Sequence, residues 1–332
     1  METNDLGLVN PLGKDAPRGL ASGLLRYGSI PAFRAASPLP KNTQEVIDNA
    51  VVKVGRQRLV IADDMISSGL TYSLPNWLSV PTLTSHKLAE AGHAQRSMVP
   101  APRGERQVQQ WTTYTLPVYC TWDDFSFGIR ELMAAERVGS PLDTTHVEQA
   151  TRNVNDAIED AIINGAVQVD GLTTPGMLAT TNTKQYVDSE AWTHANHSGE
   201  DILADVLGMI DVAIADKYYG PYNLYVPTTY GSKLNQDFKS ATSGTIMERL
   251  LSVNAGGRNI VIKTADKLPT DKTLLVQMTS DVLDVIVGQS PAAISWEDGP
   301  GMTRNFVVMA CIVPRIKSNS DGNFGIVKGY ST

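Results

Sequence analysis

Cysteine is nearly absent, with only Cys120 and Cys311 among 332 residues. Two thiols make no disulfide framework. Both lie in apolar, strand-like surroundings (PVYCTW and VMACIV), which points to buried free thiols, since a reactive cysteine needs an electropositive niche and a histidine partner. Histidine is scarce too, at five, and only His194 and His197 are near one another. Glu200 and Asp201 follow them, which gives the set some metal-ligand character. Ser198 reads as a helix cap there, however, and both histidines are expected in a surface loop. No stretch approaches the ~18 apolar residues of a bilayer span. The opening METNDLGLVN lacks the basic and apolar regions of a secretory signal. Folding in a cytoplasm is therefore expected, and the Asn196-His197-Ser198 triplet matches a glycosylation acceptor in letters only.

Enzymatic signatures are missing as well. There is no phosphate-binding glycine loop with Lys-Ser/Thr, no G-x-S-x-G elbow and no HExxH. Asp63-Asp64 and Asp123-Asp124 are adjacent acid pairs. Neighbours on a strand point to opposite faces, so both pairs read as solvated turns. No catalytic residue, cofactor site or metal ligand is assigned.

The net charge of −7 argues against a dedicated nucleic-acid binder. Its distribution is uneven: residues 1–58 hold eight Lys/Arg against five Asp/Glu, and residues 120–220 hold five against seventeen. A mildly basic N-terminal segment supports only weak, salt-sensitive contact with DNA phosphates. An apolar fraction of 42% is ample for a core.

Residues 1–44 read as an irregular arm, interrupted by Pro11, Pro17, Pro31, Pro38 and Pro40. Such a segment cannot bury itself and needs another surface. TQEVIDNAVVKVGRQRLVIADDMI then reads as a helix, with Thr43 as cap and Val46, Ile47, Ala50 and Val54 as its stripe. Residues 79–113 are long, polar and poor in large apolar side chains, which fits a projecting two-stranded hairpin.

A helix is predicted over about His146–Asn164, with a Thr145–Glu148 capping box and Gly165 as its stop. Its stripe is Val147, Ala150, Val154, Ala157, Ile158, Ala161 and Ile162, with Asp156, Glu159 and Asp160 mostly off it. A second helix, about Gly199–Lys217, is capped by Ser198 and Asp201 and carries the stripe Leu203, Val206, Leu207, Ile210 and Ile214. After Pro221 the period changes to that of strands: YNLYVP, NIVIK, TLLVQM, DVLDVIVG and NFVVMACIV. Helices followed by strands without alternation give an α+β class.

Three segments together resemble the major capsid proteins of tailed phages, a fold shared with encapsulin nanocompartments. They are NVNDAIEDAIINGAVQVDGLTTPGML (153–178), DILADVLGMIDVAIADKYYGPYNLYVPTTYGSKL (201–234) and the C-terminal AISWEDGPGMTRNFVVMACIVPRIKSNSDGNFGIVKG. They look like the end of a spine helix, the axial domain and the peripheral-domain finish, in the family's order. The resemblance covers about residues 45–330 and is one of pattern, without a single diagnostic motif. It implies an N-terminal arm (1–44), an N-terminal helix with extended loop (45–118, loop 79–113), a peripheral domain with spine helix (119–178), an axial domain (179–291) and a return to the peripheral domain (292–332).

The implied function is self-assembly into hexamers and pentamers of an icosahedral phage head around double-stranded DNA. The virion would be assembled in a host bacterial cytoplasm, with scaffolding, portal and decoration proteins as further partners and no membrane. Candidate intersubunit contacts are Lys87, Arg96, Arg103, Arg106 and Trp111 on the loop and Asp156, Glu159 and Asp160 on the spine helix, opposite charges that would meet across a subunit boundary. Lys87 is the sole lysine in 79–113, and no partners for a covalent Lys–Asn crosslink are identifiable. The alternative is an encapsulin-like shell around a cargo protein, since LPVYCTWDDFSFGIRELMAAERVGSPLDTTHVEQATR is similar to encapsulins as well. The long Pro- and Gly-rich arm favours the phage. A cytosolic α+β hydrolase ranks last, lacking a nucleophile and base.

Overall fold

A computed structural model describes residues 45, 47–51, 59–88, 98, 111–130, 133, 144–169, 171–180, 183–188, 190–194, 196–239, 242–255, 257–297, 303–319 and 322–331. The expected arm (1–44) and the tip of the expected loop lie outside these residues, apart from Met98.

Residues 45 and 47–51 are helical, with Ile47, Ala50 and Val51 buried. The predicted helix does not run on to Ile66. Leu59 and Val60 are non-helical, and a separate helix α1 spans Ile61–Ser67. The sequence reason is local: Gly55 is a poor helix former, and Val60 at the N-cap has no side-chain acceptor for the first amides. Those amides are met from far away. Glu159 Oε1 accepts from Ile61 N at 2.8 Å, and its Oε2 accepts from Ala62 N at 3.4 Å. Asp63-Asp64 is thus in the first turn of a helix, not in a solvated turn, and Asp64 is buried.

Strands β1 (Thr71–Ser73), β2 (Thr82–Leu88), β3 (Trp111–Pro117) and β4 (Thr121–Gly128) precede the long helix α2 (Thr145–Ile163). The Thr145–Glu148 capping box is not formed. The N-cap is Thr144, which shifts Glu148 past the position a box requires. The buried face of α2 is also wider than its apolar letters: Thr151, Asn155 and Glu159, spaced by four, are all buried, whereas Ala157 is exposed.

Strands β5 (Gly165–Val169) and β6 (Leu172–Pro175) form a hairpin directly after α2, and β7 (Lys184–Asp188) leads to α3 (Gly199–Ala215). The Ser198–Asp201 capping box forms as the sequence predicts. The buried stripe of α3 is rotated from the predicted one: Ile202, Val206, Met209, Ile210 and Ala213 face inward, while Leu207 and Ile214 are exposed.

Then come β8 (Tyr222–Val226), the short α4 (Gly231–Leu234), β9 (Asp237–Lys239), β10 (Thr242–Thr245), α5 (Ile246–Leu251), β11 (Asn254–Ala255), β12 (Arg258–Asn259), β13 (Val261–Thr264) and β14 (Lys272–Gln277). The last three strands are β15 (Leu283–Glu297), β16 (Thr303–Ile316) and β17 (Ile326–Ser331). The runs read as short strands in DVLDVIVG and NFVVMACIV are parts of ladders of 15 and 14 residues. Pro291 does not end β15, because the ladder register shifts between Gln289 and Ala292 and takes it up in an irregularity.

Two sheets organise the molecule, one with order β1-β15-β16-β4 and one with order β13-β8-β14-β17-β7. Helix α2 lies across β4 and β16, and α3 across β7 and β17. One apolar core runs through both units. The boundary expected at 291 falls inside β15, and β17 pairs with β14 and β7, so the chain ends in the five-stranded sheet.

At the exit of α2, Gly165 has φ +92°, and a Cβ there would lie 2.7 Å from both Gly176 N and Thr174 O. Gly165→Ala is therefore expected to lower the unfolding free energy by roughly 2 kcal/mol or more, through strain and the backbone clash, measured by denaturant unfolding.

Candidate assembly surface

Strand alternation gives the four-stranded sheet two distinct faces. Thr121, Asp123, Phe125 and Phe127 of β4 point towards α2. Asn153 of α2 donates to Asp123 Oδ2 at 2.7 Å. Phe125 stacks on Phe306 at 5.3 Å, and Phe127 meets Phe125 and Phe306 edge-on at 5.6 and 5.5 Å. On β16, Phe306, Val308, Ala310 and Ile312 share this side and join the main core.

The opposite face carries Asn305, Val307, Met309, Cys311, Val313 and Arg315 of β16, and it is treated differently at its two ends. At one end the root of the β2–β3 hairpin covers it. Leu116, Leu83, Tyr114 and Tyr119 pack on Ile286 and Val313 as a separate small cluster. Trp77 fills the space over Gly288, where a Cβ would lie 2.6 Å from the Trp77 Cβ. Arg315 fastens the arrangement. Its Nε donates to Asp284 Oδ1 at 2.7 Å, its Nη1 reaches Ser85 Oγ at 3.5 Å, and its guanidinium sits 4.8 Å over the Tyr72 ring. Lys317 adds a second cation to Asp284 at 2.8 Å.

At the other end the face is only partly covered: Trp122 and Trp296 are exposed, Met309 and Ile294 are half-buried and Val307 is buried. The register aligns Trp122 with Met309 and Ala292, Asp124 with Val307 and Ile294, and Ser126 with Asn305 and Trp296. Trp122 is 62% exposed and Trp296 38%. Two tryptophans flanking Met309, Val307 and Ile294 form the kind of aromatic and methionine patch that interfaces favour. Sequence reading missed it. Its only trace is the alternation in TWDDFSFG, and the partner strands could not be registered against it without the ladder.

The predicted contact residues are divided by the structure. Lys87 is in β2 opposite Thr112, and Trp111 opens β3 opposite Leu88. Arg96, Arg103 and Arg106 lie outside the described residues. Asp156 pairs with Lys267 at 3.3 Å, and Asp160 accepts from Asn164 Nδ2 at 2.7 Å on an exposed face. Glu159 is a correction: it is 3% exposed and turned to the start of α1, so it offers nothing to a neighbour.

The thiols of Cys120 and Cys311 are pushed up to about 11 and about 12 by burial, which leaves them protonated. His197 is also a correction. It is buried, and its Nε2 lies 3.1 Å from Asp205 Oδ2, which accepts from Trp192 Nε1 at 3.1 Å. Trp192 stacks on Tyr230 at 5.3 Å. His194 pairs with Glu190 at 2.7 Å on the surface. Among the described residues, no cluster of three or more His, Cys, Asp or Glu side chains is arranged to hold a metal. Nor is any described helix long and apolar enough to cross a membrane.

Beside this group, burial and the neighbouring Asp205 push Asp188 up to about 7. An acid raised in the folded state contributes stability below its unfolded pKa and loses that contribution as pH rises through the folded value. Asp188→Asn is thus expected to raise stability by roughly 1–3 kcal/mol at pH 8 and to change it little near pH 4, read from thermal melts across that range.

A family model described as a family of unknown function, DUF6260, matches residues 84–329. No curated protein matches the chain. Among solved structures, the virus-like particle from Pyrococcus furiosus is similar at TM-score 0.61 and 18% identity, over 86% of this chain and 98% of that one. The capsid of Myoviridae phage XM1 gives 0.59 and 14% over 80% and 90%. The capsid of an empty GTA particle gives 0.57 and 10% over 94% and 97%. The fold is therefore the α+β fold of phage capsids, as the sequence resemblance implies.

Proposed function

We propose that this chain, which belongs to the DUF6260 family of unknown function, is a structural shell subunit. It self-assembles into hexamers and pentamers of an icosahedral phage head enclosing double-stranded DNA. The four-stranded sheet with α2 corresponds to the peripheral domain, and the five-stranded sheet with α3 to the axial domain. The observation that carries the reading is a sheet face that the chain's own hairpin root covers at one end and that leaves Trp122 and Trp296 exposed at the other, on a capsid fold.

A copy of the hairpin belonging to the next subunit is the natural cover for the exposed end. The hairpin has 22 residues between Leu88 and Trp111, among them Met98, which stands fully exposed. A two-stranded ribbon is marginal in water until a surface receives it. Head-to-tail contacts of this kind propagate and close into rings and shells. With Glu159 buried, the loop's Lys87, Arg96, Arg103, Arg106 and Trp111 are assigned to this sheet face, next to the exposed Asp124. Asp156 and Asp160 remain candidates for a second contact. Packaged DNA would meet the basic arm weakly, and scaffolding, portal and decoration proteins would be further partners. The particle would be built in the host bacterial cytoplasm and end as the virion shell.

Electron microscopy of the heaviest nuclease-treated fraction from the native source tests the reading. DNA-filled angular shells are expected. Shells holding protein instead would favour an encapsulin-like compartment, and protein running wholly at small mass would sink both.

Trp122→Glu and Trp296→Glu remove the patch without touching the core. Each is expected to cut the yield of shells at least about tenfold, and Trp122→Glu, at the more exposed site, is expected to leave the melting of the unassembled chain nearly unchanged, since isolated surface changes cost little. Sedimentation of the two variants beside the native chain reads this directly.

A further inference from the structure

Cys120 and Cys311, the chain's two cysteines, are distant in sequence and both free. The fold brings them together. Strand β16 pairs with β4 in a regular register that ends at Ala310 and Thr121, so the next position sets Cys311 opposite Cys120, on the face of Met309 and Trp122. Backbone bonds fix the kind of pair. Lys317 N donates to Val282 O at 2.7 Å, which turns the backbone groups of odd-numbered β16 residues towards β15 and those of even-numbered ones towards β4. Val285 N and Leu74 N keep the same phase on the far side of β15, at 2.9 Å to Leu70 O and 3.0 Å to Val287 O. Cys311 and Cys120 therefore face one another without a backbone bond between them, in the closer kind of antiparallel pair, with Cα atoms about 4.5 Å apart. Disulfides span Cα separations of roughly 4.4–6.8 Å. We propose that this pair is a disulfide site, closed by a small-molecule disulfide such as oxidised glutathione, and that it fastens the root of the β2–β3 hairpin to the sheet.

Cys120 lies in the link of residues 118–120 between β3 and β4, where the hairpin leaves the sheet, and β16 is an inner strand. The bond ties that link to the middle of the sheet. Cys120 Sγ lies 3.8 Å from Thr121 O and within reach of the Ala310 backbone, so it already points to β16. Cys311 Sγ is turned to Gly288 and has to rotate about its Cα–Cβ bond. The half-buried Cys120 reacts first. Its thiolate attacks one sulfur of the reagent and displaces the other as a thiolate. The Cys311 thiolate then attacks the Cys120 sulfur of the mixed disulfide, and the second reagent thiolate leaves. Two protein thiols are oxidised, one reagent disulfide is reduced to two thiols, and the two protons pass to the departing sulfurs. Burial holds both protein thiols protonated and so slows the first step. It does not oppose the product, because a neutral disulfide suits an apolar site and the ladder holds the partners together. A reducing cytoplasm keeps the pair open, and an oxidising exterior lets it close. For a shell subunit, closure would follow the particle's exit from the cell. That timing rests on the proposed function, and the disulfide site itself does not.

Excess oxidised glutathione, applied to the full native chain at about pH 8.5 and read by non-reducing peptide mapping and mass spectrometry, tests the site. The expected product is a linked pair of peptides holding Cys120 and Cys311, with the intact mass lower by about 2 Da. The same treatment of the chain unfolded in urea should instead give a glutathione adduct on each cysteine, since so long a loop rarely closes. The oxidised chain should melt at least about 3 °C above the reduced one, and in Cys120→Ser that shift should vanish. Native adducts without a link would overturn the proposal. So would a link found only after unfolding, a lowered melting temperature, or a shift that survives in Cys120→Ser. Sedimentation of the reduced sample reads assembly separately: absence of particles would count against the shell and leave the disulfide site standing.

Discussion

A sheet whose strands are apolar on both sides has to be covered twice, and this chain carries one full cover and half of another. The ladder between Leu283–Glu297 and Thr303–Ile316 is the longest pairing among the described residues. Phe306, Val308, Ala310 and Ile312 go to one side, and Val307, Met309, Cys311 and Val313 to the other. Helix α2 closes the first side. The hairpin root closes the second only as far as Cys311 and Trp77. Continuous apolar runs in a strand normally signal burial on both faces. Under the proposed shell function that burial is completed between molecules. The same constraint accounts for the hairpin leaving the body from the face that stays partly bare.

The coupling between the two sheets follows from a different shortage. Val60 cannot cap a helix, and no nearby polar side chain does so. The first amides of α1 therefore take Glu159 from the middle of α2. A carboxylate placed among apolar neighbours is costly, and a chain that needed only a cap could have used Ser or Asp at position 60 for less. What the distant residue adds is a connection, since α1 also hands Asp64 to Tyr225 and Lys263.

Local signals carried the sequence reading a long way. Ser198 and Asp201 form the expected box, and the helices at 145 and 199 begin within a residue of where capping and periodicity put them. Several judgements that depended on a partner distant in sequence failed. Glu159 has the letter of a solvated residue and the place of a buried one, and only the approach of Ile61 gives that away. His197 looked like a loop residue because Trp192 and Asp205, which enclose it, are joined by the fold. The run DVLDVIVG looked like a short strand because the irregular register that carries it on past Pro291 belongs to a pair of strands. The exposed patch was invisible for the same reason: Trp122, Met309 and Trp296 become neighbours only through two ladders.

Leaving a face half covered has an energetic logic for a repeating assembly. Ordering a loop costs roughly 1–2 kcal/mol per residue in backbone freedom. A chain that folded its hairpin onto itself would meet that cost alone and gain a closed monomer. When a neighbour supplies the surface, as the proposed function has it, that cost is shared with the contact that the surface makes. Each junction can then be modest, as the small patch around Trp122 and Trp296 implies, because a subunit in a ring both gives a hairpin and receives one. Under the proposed function, the partly covered sheet makes a second copy of the chain the completion that costs least.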